Sequence, residues 1–513
     1  MSTVTEQTPA TEPSTAVLGR VGRGRPPVHA AMSIGGQWRG SSTGARLDCI
    51  DPTTEELLGT VPAGTAADAD LAVEAAREAS GAWRALGWTR RAALLRDLAA
   101  AVAEVAEPLA LLDVLDSGNP IAGMRGDVDS AVRELHYYAG LAGQTHGVST
   151  PTGADTVSFT QREPYGVVVR IVPFNHPFKF ACGKAAAALA AGNAVIVKPG
   201  EQTSLSAIAL AEIASDVLPP GVLNVVTGTG AELGNALVSH RGVPRIAFTG
   251  SVPTGRRIAV AAAEHFGHVS LELGGKNPLV VCPDVDVRQA ARSAVASMNI
   301  ARSNGQSCGS TSRLYVHESI RAEFTAALVD RVQEIRVGDP LDEANDVGPV
   351  AFEAHLQRVL GHITRAQESG ATLATGGGRP AGLDRGWFVE PTVFTDVADD
   401  MPIAREEVFG PVMSLLGWTD LADVVRRAND SDLGLTANVF TRDLRVAHRL
   451  AGQLEAGYVY VNGTGRRPPG SPFGGWKHSG TGKENGPEEL LSYTREKTIT
   501  ITLPADDPDW ATP

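Results

Sequence analysis

The sequence predicts an α/β protein built on a parallel sheet, and two observations carry that prediction. Between Gly166 and Ser251, short apolar runs at Gly166–Val172, Asn193–Lys198, Val222–Val226 and Ile246–Ser251 alternate with helical stretches. That is the βαβ order, which lays successive strands side by side in parallel. The turns ending these runs are rich in Gly, Pro and Asn, and ligands of such sheets lie beyond the carboxyl ends of the strands. At 513 residues the chain has room for two or three domains and a large core.

Taken in order, residues 1–30 are dominated by Pro, Thr and Gly without apolar periodicity, and are expected to form a mobile tail. Met1–Ala16 show neither a positive n-region nor an apolar h-region, so no secretory leader is expected. Ile34-Gly-Gly-Gln-Trp38 reads as a short strand pair. Thr65-Ala-Ala-Asp68 has capping-box spacing and predicts a helix to about Trp83. A second helix from about Thr89 sets Leu94, Leu95, Leu98, Val102 and Val105 on one stripe, and a third covers Val128–Ala142. Beyond the alternating section, Val269–Leu273 and Pro278–Cys282 are further strands around Gly274-Gly275, where a boundary between two units is expected. The second unit continues to about Val461 through helices near Val287–Ile300, Phe352–Ala366 and Ala422–Ala428. Asn462–Lys483 is a long Gly- and Pro-rich loop, of a kind that often carries function. Ile499–Leu503 alternates as a terminal strand suited to pairing with another subunit's sheet.

Composition narrows the function classes. Net charge is −13, which disfavours nucleic acid or an anionic membrane as the main partner. No stretch reaches the ~18 apolar residues of a membrane span. Cys49, Cys182, Cys282 and Cys308 are far apart and show no zinc spacing, so neither a metal site nor a disulfide framework is expected, and a reducing, cytoplasmic setting fits.

Four short stretches could carry chemistry, three of them catalytic. Cys308 sits in Ser303-Asn-Gly-Gln-Ser-Cys-Gly309, polar-flanked and bracketed by Gly305 and Gly309. A lone cysteine is ordinarily a small buried hydrophobe; its other reading is a nucleophile. Glu272 lies between two leucines at a strand end, which suits a general base of raised pKa as well as a solvated strand residue. Asn175, in Pro173-Phe-Asn-His-Pro177, is either a turn residue or an amide donor to an oxyanion. Together they would complete an acyl-transfer site. Gly228-x-Gly230-x-x-x-Gly234 follows a strand and opens a helix, the context of a phosphate-binding turn. The acid expected about 20 residues downstream is missing there, but Glu201 follows the preceding strand.

With these residues in view, the chain resembles the aldehyde dehydrogenase superfamily, of the NAD(P)-dependent hydrolytic type, over roughly residues 32–503. The resemblance rests on Pro173-Phe-Asn-His-Pro177, Lys198-Pro-Gly-Glu-Gln-Thr203, Phe248-Thr-Gly-Ser251, Glu272-Leu-Gly-Gly-Lys276, Gly305-Gln-Ser-Cys308, Glu406-Glu-Val-Phe-Gly-Pro411 and Pro472-Phe-Gly-Gly-Trp-Lys477. It implies oxidation of a small aldehyde to its acid, with Cys308 as nucleophile, Asn175 and the Cys308 N–H holding the oxyanion, and Glu272 as base. It implies NAD, with NADP disfavoured by the carboxylate of Glu201. Lys198 and Glu201 would hold the adenosine ribose, Gly230, Gly234 and Ser251 would approach the pyrophosphate, and Glu407 and Phe409 would hold the nicotinamide ribose. Lys184 and Glu484 match a pair proposed in relatives to relay the base's proton; an ordinary buried ion pair is the alternative.

The resemblance also implies a Rossmann-like dinucleotide-binding domain (31–146 and 164–276), a second α/β catalytic domain (277–484) and a small β oligomerisation element (147–163 and 485–503) joining a homodimer or homotetramer. The chain departs from the family pattern at Phe174, where tryptophan is usual, and at His355 and Arg358, where Gln and Lys are frequent. Around the substrate, His176, Lys179 and Gly183, beside Ser307 and Gly309, replace aromatic or aliphatic residues and suggest a roomier, polar mouth for a polar or anionic aldehyde. Other outcomes are a CoA-acylating dehydrogenase, a cysteine hydrolase without cofactor and a non-catalytic relative.

Overall fold

The protein was examined as a computed structural model that describes residues 4–5, 17–153, 156–465 and 467–502. An eight-stranded sheet has five parallel strands at its centre, in the spatial order His268–Glu272, Arg245–Thr249, Val167–Ile171, Ala194–Lys198, Leu223–Val225. The chain begins at the middle strand, winds outward to one side, then returns to the other. The strand order therefore reverses beside Val167–Ile171, and the diverging connections open a crevice at the carboxyl ends. Val167–Val169 and Ala194–Val197 are buried on both faces, which explains their unbroken rather than alternating apolar pattern. Met32–Ile34 with Gln37–Arg39 closes one edge and Gly480–Thr481 the other, both antiparallel.

Helices cover this sheet. Thr65 N donates to Asp68 Oδ2 at 2.8 Å and starts the helix Ala66–Ala85. Pro177–Ala190 is buried almost throughout, because its alanines let the helices Ile121–Leu141 and Leu205–Ser215 pack closely on it. The helix Gly87–Glu104 buries Leu94, Leu95, Leu98 and Val102 as the stripe predicts. A further helix, Ala106–Ser117, was not anticipated. Only Val105 separates it from its predecessor, and the local cause is Pro108, which has no N–H to give the Glu104 carbonyl and so ends the first helix there.

A second sheet of seven strands runs Thr372–Thr375, Thr392–Thr395, Val412–Trp418, Arg313–His317, Pro278–Val281, Thr436–Phe440, Tyr458–Val461, parallel except for the first pair. A third, three-stranded sheet joins Ser149–Pro151, Thr156–Pro164 and Thr494–Thr502, the last two in register from Thr494↔Pro164 to Thr502↔Thr156. Residues 154–155 and 503 of the expected oligomerisation element lie outside the described residues.

The expectation of a mobile tail over 1–30 is corrected for residues 17–30; residues 1–3 and 6–16 lie outside the described residues. Val17 and Val28 are buried, and Val17 N donates to Glu212 Oε1 at 2.6 Å. Arg23 Nε pairs with the buried Asp51 at 2.6 Å. Long-range burial and a buried ion pair anchor a segment whose composition alone suggested freedom.

Candidate active site

Cys308 stands in a loop between the short helix Ile300–Ser303 and the strand Arg313–His317. Gly305 has φ +74, and a Cβ there would lie 2.6 Å from Gly410 C, so only glycine lets this loop rest on 409–411. Asn277 Nδ2 donates to Cys308 O at 2.7 Å and to Ser310 O at 2.8 Å, while its Oδ1 accepts Thr436 N at 3.0 Å. Sequence reasoning had given this asparagine no role. Burial, then the carboxyls of Glu407 and Glu272, pushes the Cys308 thiol up to about 12, against the pull of Arg467. The resting group is a thiol, and a base must take its proton for it to attack.

Asn175 follows the strand Val167–Ile171 and is buried. Its Nδ2 donates one hydrogen to Gln306 O at 2.7 Å, which leaves the second N–H for the cavity it lines with Cys308. Asn119 Nδ2 holds the Asn175 carbonyl at 2.8 Å. Among the described residues the Cys308 N–H has no hydrogen-bond acceptor. Two donors are thus available beside one thiol, as an oxyanion requires.

Glu272 ends the strand His268–Glu272, is 4% exposed and has no hydrogen bond to either oxygen among the described residues. Burial, then the charge of Glu484, raises its pKa well above the usual carboxylate range. Gly474 makes room for it: a Cβ there would lie 2.8 Å from Glu272 Oε1. Lys184 Nζ pairs with Glu484 Oε2 at 2.7 Å, and Arg170 Nη2 pairs with the other Glu484 oxygen. Burial would raise Glu484, but Arg170 and Lys184 outweigh it and hold the group at about 2. Lys184 and Glu484 therefore form a three-member ion network with Arg170, with no hydrogen bond to Glu272.

Cys308, Asn175 and Glu272 line one cavity of about 350 Å³. His176, Lys179, Ser307 and Gly309 line it too. Gly183 does not: a Cβ there would lie 2.5 Å from Glu134 Oε2, so the glycine admits that carboxylate and is no part of the cavity wall. Lys179 is buried, and the burial, followed by Arg302, lowers its pKa to about 8. The organising group is Asp127, which sequence reasoning passed over. It bonds to His176 Nδ1, accepts Arg302 Nη2 at 2.5 Å and lies 3.9 Å from Lys179 Nζ. Burial opposes its ionisation, but these three cationic or polar partners hold it well below the usual range. Burial keeps His176 itself low and neutral, against the pull of Asp127. Asp127 and Arg302 drew no reading in the sequence, and nothing local signals that they meet.

The crevice at the strand ends collects the remaining candidates. Lys198 ends its strand, donates from Nζ to Pro199 O at 3.0 Å and is lowered by burial to about 8. Glu201 Oε1 accepts Gly230 N at 2.5 Å. A Cβ on Gly234 would make only ordinary contact, 3.7 Å from Lys198 Cε. Ser251 precedes the helix Val252–Ala263; its Oγ donates to Thr254 Oγ1 at 3.0 Å instead of capping that helix, whose first amides stay free for an anion. Glu407 Oε1 accepts Gly275 N at 3.0 Å and burial raises it to about 7. A Cβ on Gly274 would lie 1.9 Å from Glu407 Oε2. Phe409 takes a left-handed φ of 58° and meets Phe174 edge-on, while His355 Nε2 donates to its carbonyl at 2.7 Å. A crevice with two carboxylates, an uncapped helix start and a glycine turn fits a dinucleotide.

Comparison with known proteins agrees with this geometry. The model of the Aldehyde dehydrogenase family matches residues 38–499. A betaine aldehyde dehydrogenase of Brucella anthropi is 42% identical over 478 residues, 92% of this chain and 97% of its own length. Aldehyde dehydrogenase tropH of Talaromyces stipitatus is 41% identical, covering 93% of this chain and 94% of its own. Among solved structures, the NAD+ complex of an aldehyde dehydrogenase from Bacillus cereus superposes with a TM-score of 0.90 at 37% identity, over 92% of this chain and 96% of that one. A betaine aldehyde dehydrogenase from Staphylococcus aureus in complex with NAD+ gives 0.91 at 36%, over 94% and 96%.

Proposed function

The chain belongs to the aldehyde dehydrogenase family, and from that premise we propose that it oxidises a polar or anionic aldehyde to its carboxylic acid with NAD as hydride acceptor. The observation that carries the reading is the meeting of Cys308, Asn175 and Glu272 in one cavity that adjoins the strand-end crevice. Cys308 Sγ bonds to the aldehyde carbon as its proton passes to the Glu272 carboxylate. The carbonyl oxygen becomes an oxyanion held by the second Asn175 N–H and the Cys308 N–H. NAD, when bound, would supply the hydride acceptor; loss of hydride from this carbon leaves a thioester on Cys308. Glu272 releases that first proton to solvent, takes another from the attacking water as its oxygen bonds to the thioester carbon, and returns it to the Cys308 thiolate that leaves from the acid.

Glu201 and Lys198 would hold the adenosine ribose, Gly230, Gly234 and Ser251 the pyrophosphate, and Glu407 with Phe409 the nicotinamide ribose. The Glu201 carboxylate repels a 2′-phosphate, which favours NAD over NADP. The four cysteines are free, which supports a reducing compartment such as the cytoplasm. The strand Thr494–Thr502 is the outer strand of its sheet, which supports pairing with a second copy in a homodimer or homotetramer.

The test is absorbance of reduced nicotinamide with NAD and a panel of betaine aldehyde, succinic semialdehyde and hexanal. Turnover that disappears in Cys308→Ala supports the class, and hexanal outperforming both charged aldehydes would sink the polar substrate. A second reading, a cationic aldehyde, has the names of the relatives and the carboxylate of Glu134 in its favour. Betaine aldehyde leading the panel would establish it. A CoA-acylating enzyme is disfavoured because Glu272 stands ready to activate water.

A further inference from the structure

The cavity wall carries a cation without a counter-ion. Arg467 lies in the loop that follows the strand Tyr458–Val461, and its guanidinium covers the face of Phe473, 4.0 Å from the ring centroid. It lines the same cavity as Cys308 and acts on that thiol's ionisation. Of the other cations in the wall, Arg302 pairs with Asp127 at 2.5 Å, Lys184 with Glu484 at 2.7 Å and Lys179 lies 3.9 Å from Asp127, while Arg133 is exposed and has no ion pair among the described residues. Among the described residues Arg467 has no carboxylate within ion-pair distance. Of the cavity's carboxylates, Glu134 favours the charges of Lys179, Lys184 and Arg302, and Glu272 is buried with no hydrogen bond to either oxygen among the described residues.

The Arg467 guanidinium, held over the Phe473 ring, keeps N–H donors that a carboxylate accepts in pairs. We propose that Arg467 is the specificity-determining residue of the site, binding the distal carboxylate of a short ω-oxo acid whose aldehyde end reaches Cys308. The proposal rests on the aldehyde-oxidising reading and narrows its substrate to a semialdehyde. A cavity of about 350 Å³ suits a small acid of this kind. The quaternary ammonium of betaine aldehyde meets an uncompensated positive charge there and is disfavoured.

The experiment compares full-length wild type, Arg467→Gln and Arg467→Lys on succinic semialdehyde and butanal, a neutral aldehyde of matched length. The ratio of kcat/KM for the acid over the neutral aldehyde is expected to fall about 10- to 100-fold in Arg467→Gln, chiefly through KM, and to recover in part in Arg467→Lys. A ratio unchanged in both variants overturns the proposal. A second readout does not need turnover. Cys308 is the one cysteine that is not buried, so iodoacetamide alkylation reports on it. Succinate should protect Cys308 at lower concentration than butyrate in wild type, and this advantage should vanish in Arg467→Gln. If no aldehyde is oxidised, the enzymatic reading fails, and the protection assay alone decides the clamp: equal protection by the two acids overturns it.

Discussion

Replacing Asn175 with alanine separates two roles that the structure gives one side chain. Asn175 Nδ2 spends one hydrogen on Gln306 O at 2.7 Å and turns the other toward the cavity. Loss of an oxyanion donor raises the barrier by about 2.7–4 kcal/mol, so kcat/KM should fall about 10²- to 10³-fold. The same change leaves the buried Gln306 carbonyl without its donor, which costs about 1–3 kcal/mol of stability. Gln306 precedes Cys308 by two residues, so a loosened loop could itself slow the reaction. The assay therefore pairs steady-state rates at saturating NAD with the rate of Cys308 alkylation by iodoacetamide. If the donor matters as argued, turnover drops by the full factor while alkylation changes less than about 3-fold. Alkylation slowed as much as turnover would refute the oxyanion role and leave Asn175 as a prop for the loop.

Three further outcomes follow from the same geometry. Glu272→Gln removes the base of both proton transfers, so stopped-flow absorbance should show the first equivalent of reduced nicotinamide forming more slowly and turnover falling about 10²- to 10⁴-fold; a full burst at the wild-type rate would confine Glu272 to the water step. Glu484 is held at about 2, below the ordinary 4.5. Its ionised form therefore contributes stability above pH 4.5 that disappears as pH falls toward 2. Arg170→Gln breaks a buried pair at a cost of about 3–5 kcal/mol and raises that carboxyl, so acid unfolding followed by circular dichroism should begin at higher pH. Gly274→Ala drives a methyl group into Glu407 Oε2, 1.9 Å away, and should weaken NAD binding roughly 10- to 100-fold by calorimetry; unchanged affinity would take Glu407 out of the cofactor site.

The unforeseen helix was legible in the chain, because Pro108 removes the N–H that would continue the helix past Glu104. The packed N-terminal segment and the rewritten cavity wall share another cause, long-range contact. Residues 17–30 look free in composition and are anchored by Asp51 and Glu212, which lie far along the chain. Gly183 reads as space for substrate and is instead space for Glu134.

What the sequence determined by itself was whatever is encoded within a few residues of the chain. The short β-branched runs set a parallel sheet, since strands buried on both faces need no alternation. The turns at their ends carry Asn175, Glu201, Ser251 and Glu272, since a parallel sheet delivers every such turn to the same edge. Only tertiary structure decided how the charges around the thiol are paired. Asp127 meets Arg302 across 175 positions and Arg170 meets Glu484 across 314. An ionised side chain on a helix looks the same in sequence whether it faces water or a partner. Burial and distance, which exist only in the folded chain, commit most of these charges to one another and leave Arg467 without a carboxylate partner among the described residues.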